Sequence, residues 1–211
     1  YEKTPANPQI TERVRVKEPP HRAPRRIEYR DPRAGRITVS RHYLVPSYNT
    51  AAPGEAEALD LMMKVAAGGS TSRLYRSLVV DKKIASSASG YYSGSNMDSG
   101  IIGFSAVVGT GSTVAEVEAA IDAVIEEMKT TPLSVEELDR AKRLYAAEYI
   151  YQTDSQSSLA RRYGWGLVTG ATVAQIDAWP MELAKVTVEQ VQAAAVNHLL
   201  LNNSVTGVLL P

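Results

Sequence analysis

The 211-residue sequence contains no cysteine, which excludes disulfide bonds, thiolate zinc sites, iron–sulfur clusters and a cysteine nucleophile. It also lacks any apolar run near the roughly 20 residues of a membrane span, and its first residues do not match a signal peptide. We therefore expect no membrane-spanning segment, whereas the compartment, periplasmic or cytoplasmic, stays open. Because the chain begins with Tyr1 instead of methionine, we expect it to be a processed or partial form.

Histidine is scarce, and His21, His42 and His198 lie far apart in the sequence. None has a second histidine or a carboxylate at metal-ligand spacing, and neither His-Glu-x-x-His nor its inversion occurs. The sequence therefore predicts no metal site in this chain. A Gly-x-Ser-x-Gly nucleophile elbow is also absent. The residues alone show no complete active site.

The formal net charge is zero, from 23 basic and 23 acidic side chains, but it is unevenly distributed. Residues 1–36 carry ten basic and five acidic groups, so this stretch is +5 and the remainder is −5. The same stretch holds six of the eleven prolines, each of which fixes φ and removes a backbone donor. We predict a linker arm over residues 1–25 and a single domain over residues 26–211.

The arm has two open interpretations, a solvated linker or a clamp on an acidic surface of the same molecule or its partner. Nucleic-acid binding is disfavoured, because no aromatic residues interleave the arginines.

Period-two alternation and turn chemistry indicate the strands, and apolar residues at helical spacing indicate the helices. We expect the first two strands to form a pair, and we expect another element to pack closely on the small residues of the third. Strands are predicted over 26–31, 36–45, 84–92, 101–108 and 205–210.

Seven helices are expected between these strands, one of them over 159–168. Two fall between the second and third strands, the second of them over 72–82. Four helix starts carry the capping-box pattern, in which paired side chains satisfy free amide donors at the start of a helix. The pairs are Thr113 with Glu116, Ser134 with Glu137, Thr172 with Gln175 and Thr187 with Gln190.

The element order is β-β-α-α-β-β, then several helices, then β. This order predicts an α+β fold with a mostly antiparallel or mixed sheet and helices packed on one face. The closing strand must return to the sheet, since Val205, Val208 and Leu210 otherwise stay exposed.

The segment Gly69–Leu78, followed by Lys83-Ile84-Ala85, resembles the Ser-Arg-Leu…Leu-Arg-Glu…Gly-Leu-Ala-Tyr segment of a known family. That segment lies in the C-terminal half of the pitrilysin/insulinase-type zinc peptidases, the inverzincins, which include mitochondrial processing peptidase. The resemblance extends from about residue 17 to the end of the chain. Further matches follow in the family's order at 136–142, 158–164, 186–191 and 205–211.

The resemblance implies two similar α+β halves that face each other as a clamshell. In this family the first half binds zinc through His-x-x-Glu-His and a distant Glu. The second half usually lacks zinc, helps to enclose the substrate, and supplies an Arg and a Tyr that contact it near the scissile bond. The chain would thus be a second half with no cofactor of its own, and its arm would end the linker between the halves.

The partners implied are an N-terminal zinc-binding half and an extended peptide substrate. Homodimerisation through the exposed faces of an isolated half is a further alternative.

Two positions depart from the family pattern. The register from Ser72-Arg73-Leu74 places Val79 where the family has Arg and Ser86 where it has Tyr. Valine cannot donate a hydrogen bond, and Ser86 makes one at shorter reach. Arg76, one turn earlier, is a candidate substitute, so Arg76 and Ser86 are the expected substrate-binding residues, with no catalytic residue expected here.

Three functions are compatible with these observations. The first is the substrate-enclosing half of a zinc endopeptidase, inactive by itself. The second, which Val79 and Ser86 motivate, is a non-catalytic structural or assembly subunit with the same fold. The third is an unrelated α+β ligand-binding module.

Overall fold

A computed structural model of the chain describes residues 9, 14–16, 19 and 21–211. The described strands form one mixed sheet of order β1-β5-β2-β4-β3. They are β1 Arg25–Arg30, β2 Thr38–Val45, β3 Ala85–Ser93, β4 Gly100–Val108 and β5 Ser204–Leu210. The helices are α1 Glu55–Ala67, α2 Arg73–Tyr75, a π-helix Arg76–Asp81, α3 Val114–Thr130, α4 Val135–Thr153, α5 Gln156–Val168, α6 Val173–Lys185, α7 Val188–His198 and a 3₁₀ turn Leu201–Asn203.

The predicted α+β class is confirmed, with the main core between one face of the sheet and the helices. Tyr43 and Phe104 are buried on that face of β2 and β4, and their rings meet edge to face at 6.3 Å. Leu59 of α1, Ile121 of α3 and Val191 of α7 complete this core. No helix among the described residues is both long and apolar enough to cross a membrane.

The sheet order corrects one prediction. The strands expected over 26–31 and 36–45 both form, but they do not pair with each other. β5 lies between them, parallel to β1 and antiparallel to β2. The apolar β5 gains two neighbours and buries Val208, whereas the arginine-rich β1 is exposed at every residue and takes the edge, where charged side chains are tolerated.

The expected close packing on the third strand is confirmed at Gly90. A Cβ atom placed there would lie 2.6 Å from the Cβ of Ala67 and 2.9 Å from the Cε of Met63. α1 therefore approaches β3 so closely that only glycine fits without movement.

All four predicted capping boxes form. At the start of α4, Ser134 Oγ accepts a hydrogen bond from the Glu137 amide at 3.1 Å. The Glu137 carboxylate accepts one from the Ser134 amide at 3.0 Å. The other three boxes repeat this reciprocal arrangement, which satisfies two free donors at each helix start.

Candidate functional site

The segment that carries the family resemblance begins at a capped and anchored turn. Ser72 Oγ accepts a hydrogen bond from the Tyr75 amide at 3.3 Å. Arg73 donates two hydrogen bonds to the Glu137 carboxylate, at 3.1 and 2.8 Å, and lies 3.1 Å from Glu127. The hydrogen bonds from Arg73 lower the pKa of Glu137. Because Leu74 is fully buried, the Ser-Arg-Leu triplet fixes the segment in place and leaves Arg76 at the start of the following turn exposed.

That following turn is a π-helix, in which the Lys82 amide donates to the Ser77 carbonyl at 3.0 Å. Single π-helical turns are rare in proteins, and those that do occur often lie at functional sites. Arg76 opens this turn and is exposed, and no described side chain pairs with its guanidinium. Val79 is partly buried and packs against the core, so its side chain serves packing here.

Two further backbone irregularities follow directly. Lys83 has φ of 54°, a left-handed conformation that is uncommon outside glycine. The pairing of β3 with β4 shifts register between Ala85 and Ser87, which makes Ser86 the extra residue of a β-bulge. Bulges re-aim side chains and occur often beside active sites, and Ser86 is exposed here.

The structure places a different arginine beside Ser86 from the one expected. Arg36, in the connection between β1 and β2, donates from Nη1 to Ser86 Oγ at 3.5 Å. No hydrogen bond joins Arg76 to Ser86 within the described residues. Sequence reasoning missed Arg36 because it is 50 residues from Ser86 and the contact depends on the sheet order.

A second polar cluster, also unpredicted, lies between α1, α4 and α6. Tyr48 donates to the Asp60 carboxylate, and Trp179 Nε1 donates to the Tyr48 hydroxyl at 2.6 Å. Tyr145 donates to the Asp60 carbonyl at 3.2 Å and packs edge to face on Trp179. Burial raises the pKa of Asp60 to about 7 and also raises the pKa of Tyr48 and Tyr145. The signal that indicates such a cluster is the presence of eleven Tyr against one Phe, because tyrosine buries apolar area and keeps one polar group.

The described part of the chain contains no group of three His, Cys, Asp or Glu placed to hold a metal ion. His198 Nε2 lies 2.8 Å from Glu55 Oε1, and His42 faces the ring of Tyr91 at 6.3 Å. Among the described residues, neither histidine has further metal-ligating side chains beside it, so these residues do not fit the zinc of the peptidase family.

Comparison with known proteins identifies the family. The model of the peptidase M16 inactive domain matches residues 2–145, about two thirds of the chain. The chain therefore belongs to the peptidase M16 family, as its inactive domain. The predicted resemblance to the C-terminal, non-zinc half of pitrilysin-type peptidases is thereby confirmed. No curated protein matched the sequence.

Solved structures share the fold at low sequence identity. A protease from Helicobacter pylori is similar with a TM-score of 0.89 and 22% identity, over 97% of this chain and 48% of that one. The inactive peptidase domain of a proposed zinc protease from Bordetella parapertussis is similar with a TM-score of 0.75 and 23% identity, over 85% of this chain and 93% of that one. A chain of Complex III2 from Candida albicans is similar with a TM-score of 0.73 and 14% identity, over 88% of this chain and 45% of that one. The chain thus spans about half the length of the Helicobacter pylori protease.

Proposed function

We propose that this chain is the C-terminal, substrate-enclosing half of a zinc-dependent endopeptidase. The observation that carries the proposal is its membership of the M16 inactive domain, combined with coverage of 48% of the chain of a protease of similar fold. The zinc and the His-x-x-Glu-His motif would lie in an N-terminal half, on the same or a partner chain. Peptide hydrolysis would occur in that half, and this chain by itself would be inactive.

The contribution of this half would be to bind and orient an extended peptide while it excludes water. We assign the substrate contacts to Arg76 and Ser86. Arg76 offers an exposed guanidinium with no carboxylate partner among the described residues, which suits donation to peptide carbonyl oxygens. Ser86 adds one hydroxyl on the exposed bulge of β3.

The test combines this chain with a separately purified zinc half from the same operon or reading frame. We expect neither part alone to cleave a quenched fluorescent peptide, and the mixture to do so. Metal analysis should find less than about 0.1 zinc per copy of this chain. The matched control is a mixture in which the Glu of the partner's zinc motif is replaced by Gln. Stoichiometric zinc in this chain, or an inactive mixture that nevertheless forms a stable complex, would contradict the proposal.

We further propose that residues 1–25 are the linker arm and 26–211 the single folded domain. Arg15 of the arm lies 2.6 Å from Asp98, but such an exposed ion pair contributes only about 0–1 kcal/mol. Brief trypsin treatment should therefore cut at the arginines of the arm and leave a stable fragment that starts near β1. Protection of the arm in the isolated chain would indicate that it docks on the domain.

A second candidate is a non-catalytic assembly subunit. It is favoured by the partly buried Val79 at the family's Arg position, and by the shared fold with a chain of Complex III2. This function predicts a stable complex with the other half and no peptidase activity. Light scattering on the isolated chain distinguishes both of these functions from homodimerisation of the chain.

A further inference from the structure

The two edge strands of the sheet, β1 and β3, differ in length and in the side chains along them. β1 is six residues long, and two of its three arginines pair with Glu28: Arg26 lies 3.2 Å and Arg30 3.6 Å from that residue. β3 is nine residues long and pairs with β4 alone. Ser87 and Ser89 are exposed along it. A long edge with small side chains presents free backbone donors and acceptors to which an extended peptide can add as a further strand.

Cations collect at the start of this edge. Arg36 reaches Ser86, and Lys82 and Lys83 are exposed immediately before β3. None of the three has a carboxylate partner among the described side chains, in contrast to Arg33, which pairs with Asp31 at 2.7 Å. This corner is therefore positive on a domain whose residues 37–211 carry a net charge of −5.

The strained backbone fixes this arrangement. The left-handed Lys83 and the bulge at Ser86 turn the chain directly after the two lysines, and Ser86 meets the Arg36 guanidinium. An arginine fork without a carboxylate partner binds carboxylates well, because it donates two parallel charge-assisted hydrogen bonds.

We propose that the edge of β3 binds extended peptides with acidic side chains, and that Arg36, assisted by Lys82 and Lys83, reads the negative charge. The peptide backbone pairs with β3, and an acidic side chain displaces Ser86 from the Arg36 guanidinium. This proposal rests on the proposed function, whose substrate it narrows to the acidic class, and it adds Arg36 as a specificity-determining residue.

The experiment uses three fluorescein-labelled peptides of about ten residues, alike in their Ser, Thr and Val positions, that carry Glu, Gln or Lys at three alternate positions. Binding to the 211-residue chain, alone and mixed with the zinc half, is followed by fluorescence anisotropy. We expect the Glu peptide to bind about ten-fold more tightly than the Gln peptide in about 50 mM NaCl, and the preference to shrink in about 300 mM NaCl.

Variants separate charge recognition from folding. Arg36→Ala should reduce the preference for the Glu peptide about three- to five-fold and leave the affinity for the Gln peptide unchanged. Arg36→Lys should retain part of the preference. Arg33→Ala is the matched control, since Arg33 already pairs with Asp31, and should change nothing.

Each other outcome is decisive. Equal affinities for the Glu and Gln peptides, or an unchanged preference in Arg36→Ala, would overturn the charge proposal and leave the peptide-binding function intact. If none of the peptides binds in either preparation, both the charge proposal and the proposed peptide-binding function are wrong. If Arg36→Ala only promotes self-association of the chain, the cations protect the edge from aggregation and the proposal is wrong.

Discussion

Tyr48 donates its phenolic hydrogen to the carboxylate of Asp60 and accepts a hydrogen bond from Trp179 Nε1 at 2.6 Å. Three elements meet at this point, because Tyr48 precedes α1, Asp60 lies in α1 and Trp179 lies in α6. Burial raises the pKa of Asp60, and the hydrogen bond from Tyr48 lowers it in part, so that it lies at about 7. A carboxylate with a raised pKa opposes folding once it is ionised.

Asp60 should therefore make the domain less stable as pH rises. The unfolded chain loses this proton near pH 4 and the folded chain near pH 7, so the folded state binds more protons between these values. The free energy of unfolding then falls as pH increases through that window. Asp60→Asn should reduce this loss in the free energy of unfolding by about 2 kcal/mol, measured by urea unfolding at pH 4 and pH 8. Asp98→Asn, at an exposed ion pair, is the control, and parallel pH curves for Asp60→Asn and the parent would refute the assignment.

A second prediction concerns Arg73, whose side chain is only 14% exposed between Glu137 and Glu127. Removal of a mostly buried partner leaves carboxylates without their donors, so Arg73→Ala should lower the free energy of unfolding by about 2–3 kcal/mol. Arg73→Lys should lose about half as much, because lysine cannot form the two-point contact. Arg33→Ala, at a side chain that is 89% exposed, should change it by less than about 0.5 kcal/mol. Equal urea midpoints for Arg73→Ala and Arg33→Ala would show that the anchor is not structural.

The helix starts were predictable from the sequence because a capping box joins residues three apart, as Ser134 and Glu137 do. The strands were predictable because alternation is also local. The order of the strands was not, since Arg25 pairs with Val205 and no local pattern encodes that choice.

The candidate site also combines residues that the sequence predicts with contacts that only the fold creates. Arg76 and Ser86 were identified by position in a motif, whereas the contact between Arg36 and Ser86 depends on β4 lying between β2 and β3. The Tyr48–Trp179 hydrogen bond joins residues 131 apart. The π-helix and the bulge leave no residue pattern that distinguishes them from an ordinary helix and strand.

A third prediction tests the ion pair between the sheet and α3. Arg41 is 7% exposed, contacts the half-exposed Asp122, and donates to Thr206 Oγ1 at 2.9 Å. Asp122→Ala should lower the free energy of unfolding by about 2 kcal/mol, since it leaves a buried cation unpaired. Adding Arg41→Met should recover most of that loss. Glu118→Ala, which removes an exposed contact of the same helix with Arg26, is the control and should lose less than about 1 kcal/mol.

The last prediction tests whether the approach of α1 to β3 holds the edge strand in position. Alanine at Gly90 would place a Cβ atom 2.6 Å from Ala67 and 2.7 Å from the Gly103 carbonyl oxygen. Because the second of these is backbone, the helix or the strand must move, and we expect Gly90→Ala to lower the free energy of unfolding by about 2–3 kcal/mol. Gly164→Ala is the matched control, since nothing lies within 4 Å of its Cβ position and alanine in a helix interior is favoured by about 0.5–1 kcal/mol. Opposite shifts of the urea midpoint for the two variants are the expected result. A Gly90→Ala variant as stable as the parent would mean that α1 and β3 separate easily, and the edge of β3 would then lack the fixed geometry that peptide binding requires.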